Sequence, residues 1–167
     1  MAAHESGHWP RPLSAIRERI ESDIEESDQD GFSILTPDET PVGATFLTDQ
    51  NMSDGAAAVR LLVDPRHRSR SYGQAALHAL TDLAFGELPL HRLEALPHTD
   101  NGPALGVLAR AGFTHEGVRR AACLHRGRRY DLAMLSLLRG PGSSDRASAR
   151  RPPAASATVT RHDRIRE

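Results

Sequence analysis

Between Leu61 and Gly73 the chain reads Leu61-Leu62-Val63-Asp64-Pro65-Arg66-His67-Arg68-Ser69-Arg70-Ser71-Tyr72-Gly73. An apolar run is followed by arginines and serines that stand directly before a helix-forming stretch. The first turn of a helix leaves backbone N–H groups without intrahelical acceptors, and the helix dipole adds partial positive charge there. With Arg68 and Arg70 beside it, such a turn is a physically reasonable seat for a phosphorylated ligand. Taken alone, the same residues read equally well as an ordinary solvated strand-to-helix loop, and the rest of the chain has to decide. Other reactive residue types offer less. The nine histidines do not cluster with carboxylates at ligand spacing, so no metal site is expected. Cys123 is the single cysteine, which excludes an intramolecular disulfide or a cysteine zinc cluster. It reads as a small core residue and not as a nucleophile.

The elements that would hold this turn follow from periodicity. Residues 1–9 read as a frayed tail. Pro10 and Pro12 punctuate the start of a helix with Leu13, Ile16, Ile20 and Ile24 as a narrow apolar stripe, ended by Gln29-Asp30-Gly31. Two strands, Phe32–Leu35 and Val42–Leu47, flank a turn containing Pro37, Asp38 and Pro41, as in an antiparallel hairpin. A third strand, Ala56–Val63, is apolar on both faces at its end, which suits burial or cover by a ligand. A helix from Tyr72 to Phe85 presents Ala76, Leu77, Leu80, Leu83 and Ala84. His91–Leu96 reads as a short strand whose pairing must fail on at least one side at Pro97. Pro103 opens another helix, with Leu105, Leu108 and Ala111 inward and Gly112 as its cap. Phe113–Leu124 and Tyr130–Leu138 form a last hairpin around the basic turn His125-Arg126-Gly127-Arg128. From Gly140 to Glu167 the composition turns to Pro, Ser, Ala and Arg without period, and a disordered tail is expected.

At 167 residues, one domain over residues 10–139 has enough chain for a real core. Hydrophobic residues at 38% and charged residues at 26% are globular values. A formal net charge of −1 argues against a protein defined by a nucleic-acid or membrane field. No run is long enough to span a bilayer, and the N-terminus lacks the apolar core of a signal peptide. A cytoplasmic protein is expected.

Two patterns now combine with this element order. One is Val63-Asp64-Pro65-x-x-Arg68-x-x-Ser71-x-Gly73. The other is Asp100-Asn101-x-x-Ala104-x-x-Val107-x-x-x-Ala111-Gly112-Phe113, followed by Glu116-Gly117. Together, over Pro12 to Arg139, they resemble the GNAT superfamily of acyl-CoA-dependent N-acyltransferases. The closest branch is similar to the ribosomal-protein N-terminal acetyltransferases, whose closing strand the run Tyr130-Asp131-x-x-x-x-Ser136-Leu137-Leu138 also resembles. The resemblance implies a mixed α/β fold with a mostly antiparallel central sheet, a splayed parallel strand pair and flanking helices. It implies acetyl-CoA as cosubstrate and a primary amine as acceptor, on a protein N-terminus or a small molecule. The cofactor residues implied are Arg68, Ser69, Arg70, Ser71, Tyr72, Gly73 and Gln74 around the pyrophosphate. Leu62 and Val63 would lie along the pantetheine and the oxyanion, and Asn101 would contact the pantetheine while capping its helix.

Three departures from the family pattern bear on turnover. Ser71 stands where the loop usually carries glycine; if φ is positive there, serine costs on the order of 1 kcal/mol. Leu108 stands where many members carry a tyrosine acting as acid to the leaving thiolate. The family's first strand and first helix have no counterpart in this sequence, and the sheet edge thereby uncovered would favour pairing with a second copy. Direct attack by an amine needs a proton acceptor. Glu94 is the first candidate and His98 the second, both at the end of the strand facing the splay, with His67 and Glu116 more distant. Arg119, Arg120, Arg126, Arg128 and Arg129 make the last hairpin basic, as a solvated face balancing the acidic first helix or as contact with an acidic substrate or RNA. The alternative function is a non-catalytic acyl-CoA-binding protein.

Overall fold

A computed structural model describes residues 30–125, 127–140 and 158–161. The helix expected over residues 10–29 and Arg126 lie outside them. The hairpin strands are β1 (Asp30–Leu35) and β2 (Pro41–Asn51), followed by β3 (Ala56–Val63). A short 3-10 turn at Pro65–His67 leads to α1 (Tyr72–Gly86), then β4 (Arg92–Ala95) and α2 (Gly102–Arg110). The last hairpin is β5 (Thr114–His125) and β6 (Arg128–Leu138), and β7 (Thr158–Arg161) comes from the tail.

These strands make one seven-stranded sheet in the order β5-β6-β4-β3-β2-β1-β7. Every neighbouring pair is antiparallel except β3 with β4. This is the mixed, mostly antiparallel sheet with one parallel pair that the sequence implied. Both helices pack on one face. Leu77, Leu80 and Ala84 of α1 and Leu108 of α2 share a core with Phe32, Leu47, Leu93, Phe113 and Leu135. By strand alternation, Arg92 and Glu94 then stand on the opposite face from Leu93 and Ala95. On that face Ala44 and Phe46 are fully buried, with Leu62 packed against them.

The helix ends follow local chemistry. The Asn101 side chain accepts the Ala104 N–H at 3.2 Å and caps α2, with Pro103 in its first turn. At the other end Gly112 adopts φ +93. Its N–H bonds the Ala109 carbonyl, and the Phe113 N–H reaches back to the Leu108 carbonyl, both at 3.0 Å. This is a Schellman closure, and Phe113 and Leu108 meet in the core beneath it.

Two expectations are corrected. β2 runs beyond Leu47 to Asn51, because a bulge between Thr48 and Asn51 carries the polar end of the strand past Asp49 at φ +50. The tail expected to be disordered from Gly140 to Glu167 contributes β7, whose Thr158–Arg161 pairs with Leu35–Phe32. Its anchor is Val159, which packs against the cluster of Ile34, Val42 and Ala76. A lone apolar residue among polar neighbours carries no periodic signal, so pairing only becomes visible once β1 offers an edge. That edge, expected to be uncovered, is therefore occupied by the chain itself. No helix among the described residues is long and apolar enough to cross a membrane.

Candidate functional site

The parallel pair opens where the sequence placed a break. β3 and β4 are in register from Ala56↔Arg92 to Ala58↔Glu94 and no further, although β3 continues to Val63. The chain after β4 stays with β6 instead. The Ala133 N–H donates to the Pro97 carbonyl at 2.9 Å, His98 bridges Leu132, and the Thr99 N–H donates to the Asp131 carbonyl at 3.1 Å. Pro97 thus keeps its acceptor bond on one side and, lacking an N–H, gives up nothing to the strand that leaves.

Which amides face the opening follows from alternation. The Asp64 N–H bonds the Val42 carbonyl at 2.9 Å, and Leu62 pairs with Ala44 in the same register. Residues of that parity therefore turn their N–H and C=O to β2, while Leu61 and Val63 direct theirs into the opening. The Val63 carbonyl indeed receives the Arg68 Nε at 3.3 Å from that side. Of the two strand residues expected to serve the acyl arm, Val63 offers its backbone. Leu62 is committed to the ladder, and the other backbone facing the opening is that of Leu61.

The turn after β3 is built on Asp64, a residue sequence reasoning did not single out. Its carboxylate accepts the Arg66 N–H at 2.9 Å and Arg66 Nη2 at 2.6 Å, closing the 3-10 turn; Asp-Pro at a turn start is the available signal. The Arg66 hydrogen bond is the main cause holding the buried Asp64 carboxyl below its ordinary value. This pairing consumes Arg66 and leaves Arg68 and Arg70, both exposed, to the loop.

Ser69 and Ser71 adopt φ +59 and +64, with Arg70 between them. Such kinks turn successive N–H groups to one side, as in an anion-binding nest. Ser71 is the N-cap of α1 but makes no side-chain cap bond, and the first backbone bond of the helix is from Ala75 N–H to the Ser71 carbonyl at 3.0 Å. The N–H groups of Tyr72, Gly73 and Gln74 precede it and have no residue four positions back within the helix. Gly73 lets this turn press on β3: a Cβ there would stand 3.3 Å from Leu61 Cδ2 and 3.4 Å from Val63 Cγ2. Tyr72 packs in the cluster beneath, edge-on to His67 at 6.4 Å. The Gln74 side chain turns away. With its amide oriented to satisfy its neighbours, it lies between His78 at 3.0 Å and the Val107 carbonyl at 3.3 Å, so only its backbone belongs to the loop. The loop can therefore hold a diphosphate with backbone N–H groups, two hydroxyls and two guanidinium groups. Asn101 spends its Oδ1 on the cap and retains its amide N–H groups for a ligand.

The candidate bases do not converge. Glu94 stands at the last paired rung, opposite Ala58 and Ser136. Arg92 Nε holds its carboxylate at 2.7 Å. The same guanidinium grips Glu116 at 3.1 and 2.6 Å, and the Ser136 hydroxyl donates to Glu116 at 2.5 Å. Arg92 first and Ser136 second pull the Glu116 carboxyl down to about 2. Register brings Glu116 and Ser136 to Arg92, so no local pattern could have found this cluster. His98 lies on the same face four residues on, about 13 Å along a strand at about 3.3 Å per residue. It is 9% exposed, its ring stacks on Tyr130 at 4.8 Å, and its Nδ1 is 3.9 Å from Asp100. His67 sits back in the turn, 3.8 Å from Asp64. Leu108, at the position of the family's acid, is buried in the core. Among the described residues no group of three or more metal-ligating side chains is assembled.

The model of the acetyltransferase (GNAT) domain matches residues 1–114. Among proteins of similar sequence is the uncharacterized N-acetyltransferase p20 of Bacillus licheniformis. It is 27% identical over 115 residues, which cover 68% of this chain and 65% of that protein. The chain thus spans just under two thirds of that relative's length. YjcK of Bacillus subtilis, named a probable N-acetyltransferase, is 29% identical over 128 residues, covering 75% of this chain and 68% of that protein. Among solved structures, spermidine N-acetyltransferase from Vibrio cholerae in complex with CoA and spermine superposes with a TM-score of 0.66 at 19% identity. That match covers 77% of this chain and 76% of the other. A single-residue variant of that enzyme gives a TM-score of 0.69 at 18% identity, over 81% and 80% of the two chains. With more than half of its length matched by the domain model, the chain belongs to the GNAT acetyltransferase family.

Proposed function

We propose that this chain is an acetyl-CoA-dependent N-acetyltransferase that transfers an acetyl group to a primary amine by direct attack. The observation that carries the proposal is the junction of β3 and α1. A loop with two left-handed serines and two exposed arginines opens beside a strand whose Leu61 and Val63 backbones face a splay. The pyrophosphate sits on the loop, and the acyl arm adds to Val63 and Leu61 as a strand adds to an open edge. A strand N–H facing the opening receives the oxyanion. The acceptor nitrogen attacks the thioester carbon, the N–C bond forms, and the C–S bond breaks to release CoA thiolate.

The acceptor is a protein N-terminus, as in the ribosomal-protein branch, or a small amine such as the spermidine of the Vibrio cholerae enzymes. Mixing the purified chain with acetyl-CoA and a panel of N-terminal peptides, spermidine and other small amines should release free thiol with at least one of them. One observation favours a second reading, a non-catalytic acyl-CoA-binding protein: Leu108 is sealed in the core where an acid would stand. CoA binding without thiol release on any amine supports that reading, and absence of CoA binding removes both.

A further inference from the structure

Accepting the acetyltransferase reading, we infer that the acceptor is the free N-terminus of an acidic peptide segment, whose carboxylates are taken by Arg119 and Arg128. Both side chains stand beside the wall of the opening that β6 supports through Pro97 and Thr99. His98, on that wall, bridges Leu132, and Leu132 pairs with Arg119 across the last hairpin. Residues directly opposite one another share a face of the sheet. Arg119 therefore projects on the same side as His98, two strand spacings or about 10 Å away. Arg128 arrives by another route. Its guanidinium lies over the Tyr130 ring at 5.1 Å, and that ring is stacked on His98 at 4.8 Å. Both arginines are exposed.

The carboxylates of this region are already committed. Asp131 accepts the Ala121 N–H at 2.7 Å, and Arg92 holds both Glu94 and Glu116. Arg129 turns instead to the Ala121 carbonyl at 3.3 Å, within the bulge of the hairpin. Arg119 and Arg120 have no hydrogen-bonded or ionic partner among the described residues. Among those residues Asp100 is the one carboxylate beside the opening that neither an arginine nor an amide holds. The field along this wall is therefore positive. A polyamine, cationic at neutral pH, meets like charge there, whereas a carboxylate gains charge-assisted hydrogen bonds. Distance sets the form of the acceptor. A single amino acid holds its carboxylate beside the nitrogen and cannot span from the thioester to Arg119. An extended chain advances about 3.3 Å per residue, so carboxylates on its second to fourth residues come level with the two guanidinium groups.

The test is thiol release from acetyl-CoA with three hexapeptides that share an N-terminal serine and carry glutamate, glutamine or lysine at the next three positions, with spermidine beside them. At low ionic strength kcat/KM is expected to fall about 10-fold from the glutamate to the glutamine peptide and again to the lysine peptide. Added salt should bring the three together. In the double variant R119E R128E the order should reverse, with CoA affinity in calorimetry retained. Each preference is a ratio within one preparation, so it does not depend on how much of the variant folds. Equal rates for the three peptides, faster turnover of spermidine than of the glutamate peptide, or an acidic preference that the double variant keeps would overturn the assignment while the acetyltransferase reading stands. So would binding of a single-stranded RNA oligonucleotide that the double variant loses, if the peptides are not sorted by charge. Thiol release with none of the amines defeats the acetyltransferase reading itself, and the acceptor assignment with it.

Discussion

Ser71 shows how much one residue can reveal and how much it withholds. The sequence marks it as a serine where the loop expects glycine, and the backbone meets that expectation with φ +64. A side chain in the left-handed region costs about 1 kcal/mol. Ser71→Gly should therefore leave the urea midpoint unchanged or slightly raised, while the β-branched Ser71→Val lowers stability by about 1–2 kcal/mol at constant slope. Arg68 is a candidate phosphate ligand from its place before a helix, and its exposed side chain reaches back to the Val63 carbonyl. Arg68→Ala should weaken CoA binding about 5- to 100-fold, as expected for a charge-assisted phosphate contact, with stability intact. Unchanged affinity in calorimetry would take Arg68 out of the site. Arg66, two residues earlier in the same basic run, is held in the turn by Asp64. Only the short spacing of Asp64 and Arg66 hinted at that pairing.

Elements whose signals are local were the legible ones. Asn101 and Pro103 announced the start of α2, Gly112 announced its end, and Ala56–Val63 stood out as an apolar run. What depends on register was hidden. Arg92, Glu116 and Ser136 come from three strands and meet only because β4, β6 and β5 pair as they do. Their ion pair has a consequence for acid stability. The Glu116 carboxyl is lowered from 4.5 in the unfolded chain to about 2, chiefly by the Arg92 hydrogen bond. Its stabilisation is thus fully present above about pH 4.5 and is lost as pH falls toward about 2. Glu116→Gln should melt at a lower temperature than the parent protein at pH 7, and the two melting curves should converge as the pH approaches 2. A gap that persists at the acid end would assign the effect to lost packing.

At the scale of the molecule, the mostly antiparallel sheet with one parallel pair followed from the family pattern, while the strand order itself is seen only in the fold. Nothing nearby in the sequence predicts a partner for β7. It ties residues near the far end of the chain to β1 and, through Val159 and the cluster containing Ala76, to the first turns of α1, which follow the candidate cofactor loop. Val159→Asp should release that strand. Hydrogen exchange should then show lost protection at Phe32–Leu35, and CoA affinity should fall several-fold as the first turn of α1 loosens. Retained protection would mean that β7 is held by its backbone alone. The same long reach bears on how the protein is made. Ile34 meets Val159, which leaves the ribosome about 125 residues later, or on the order of 6–25 s at ordinary rates of synthesis. Through that interval the outer edge of β1 is open to any other nascent strand, so expression temperature and chaperone supply should decide the yield of this protein more than its final stability does.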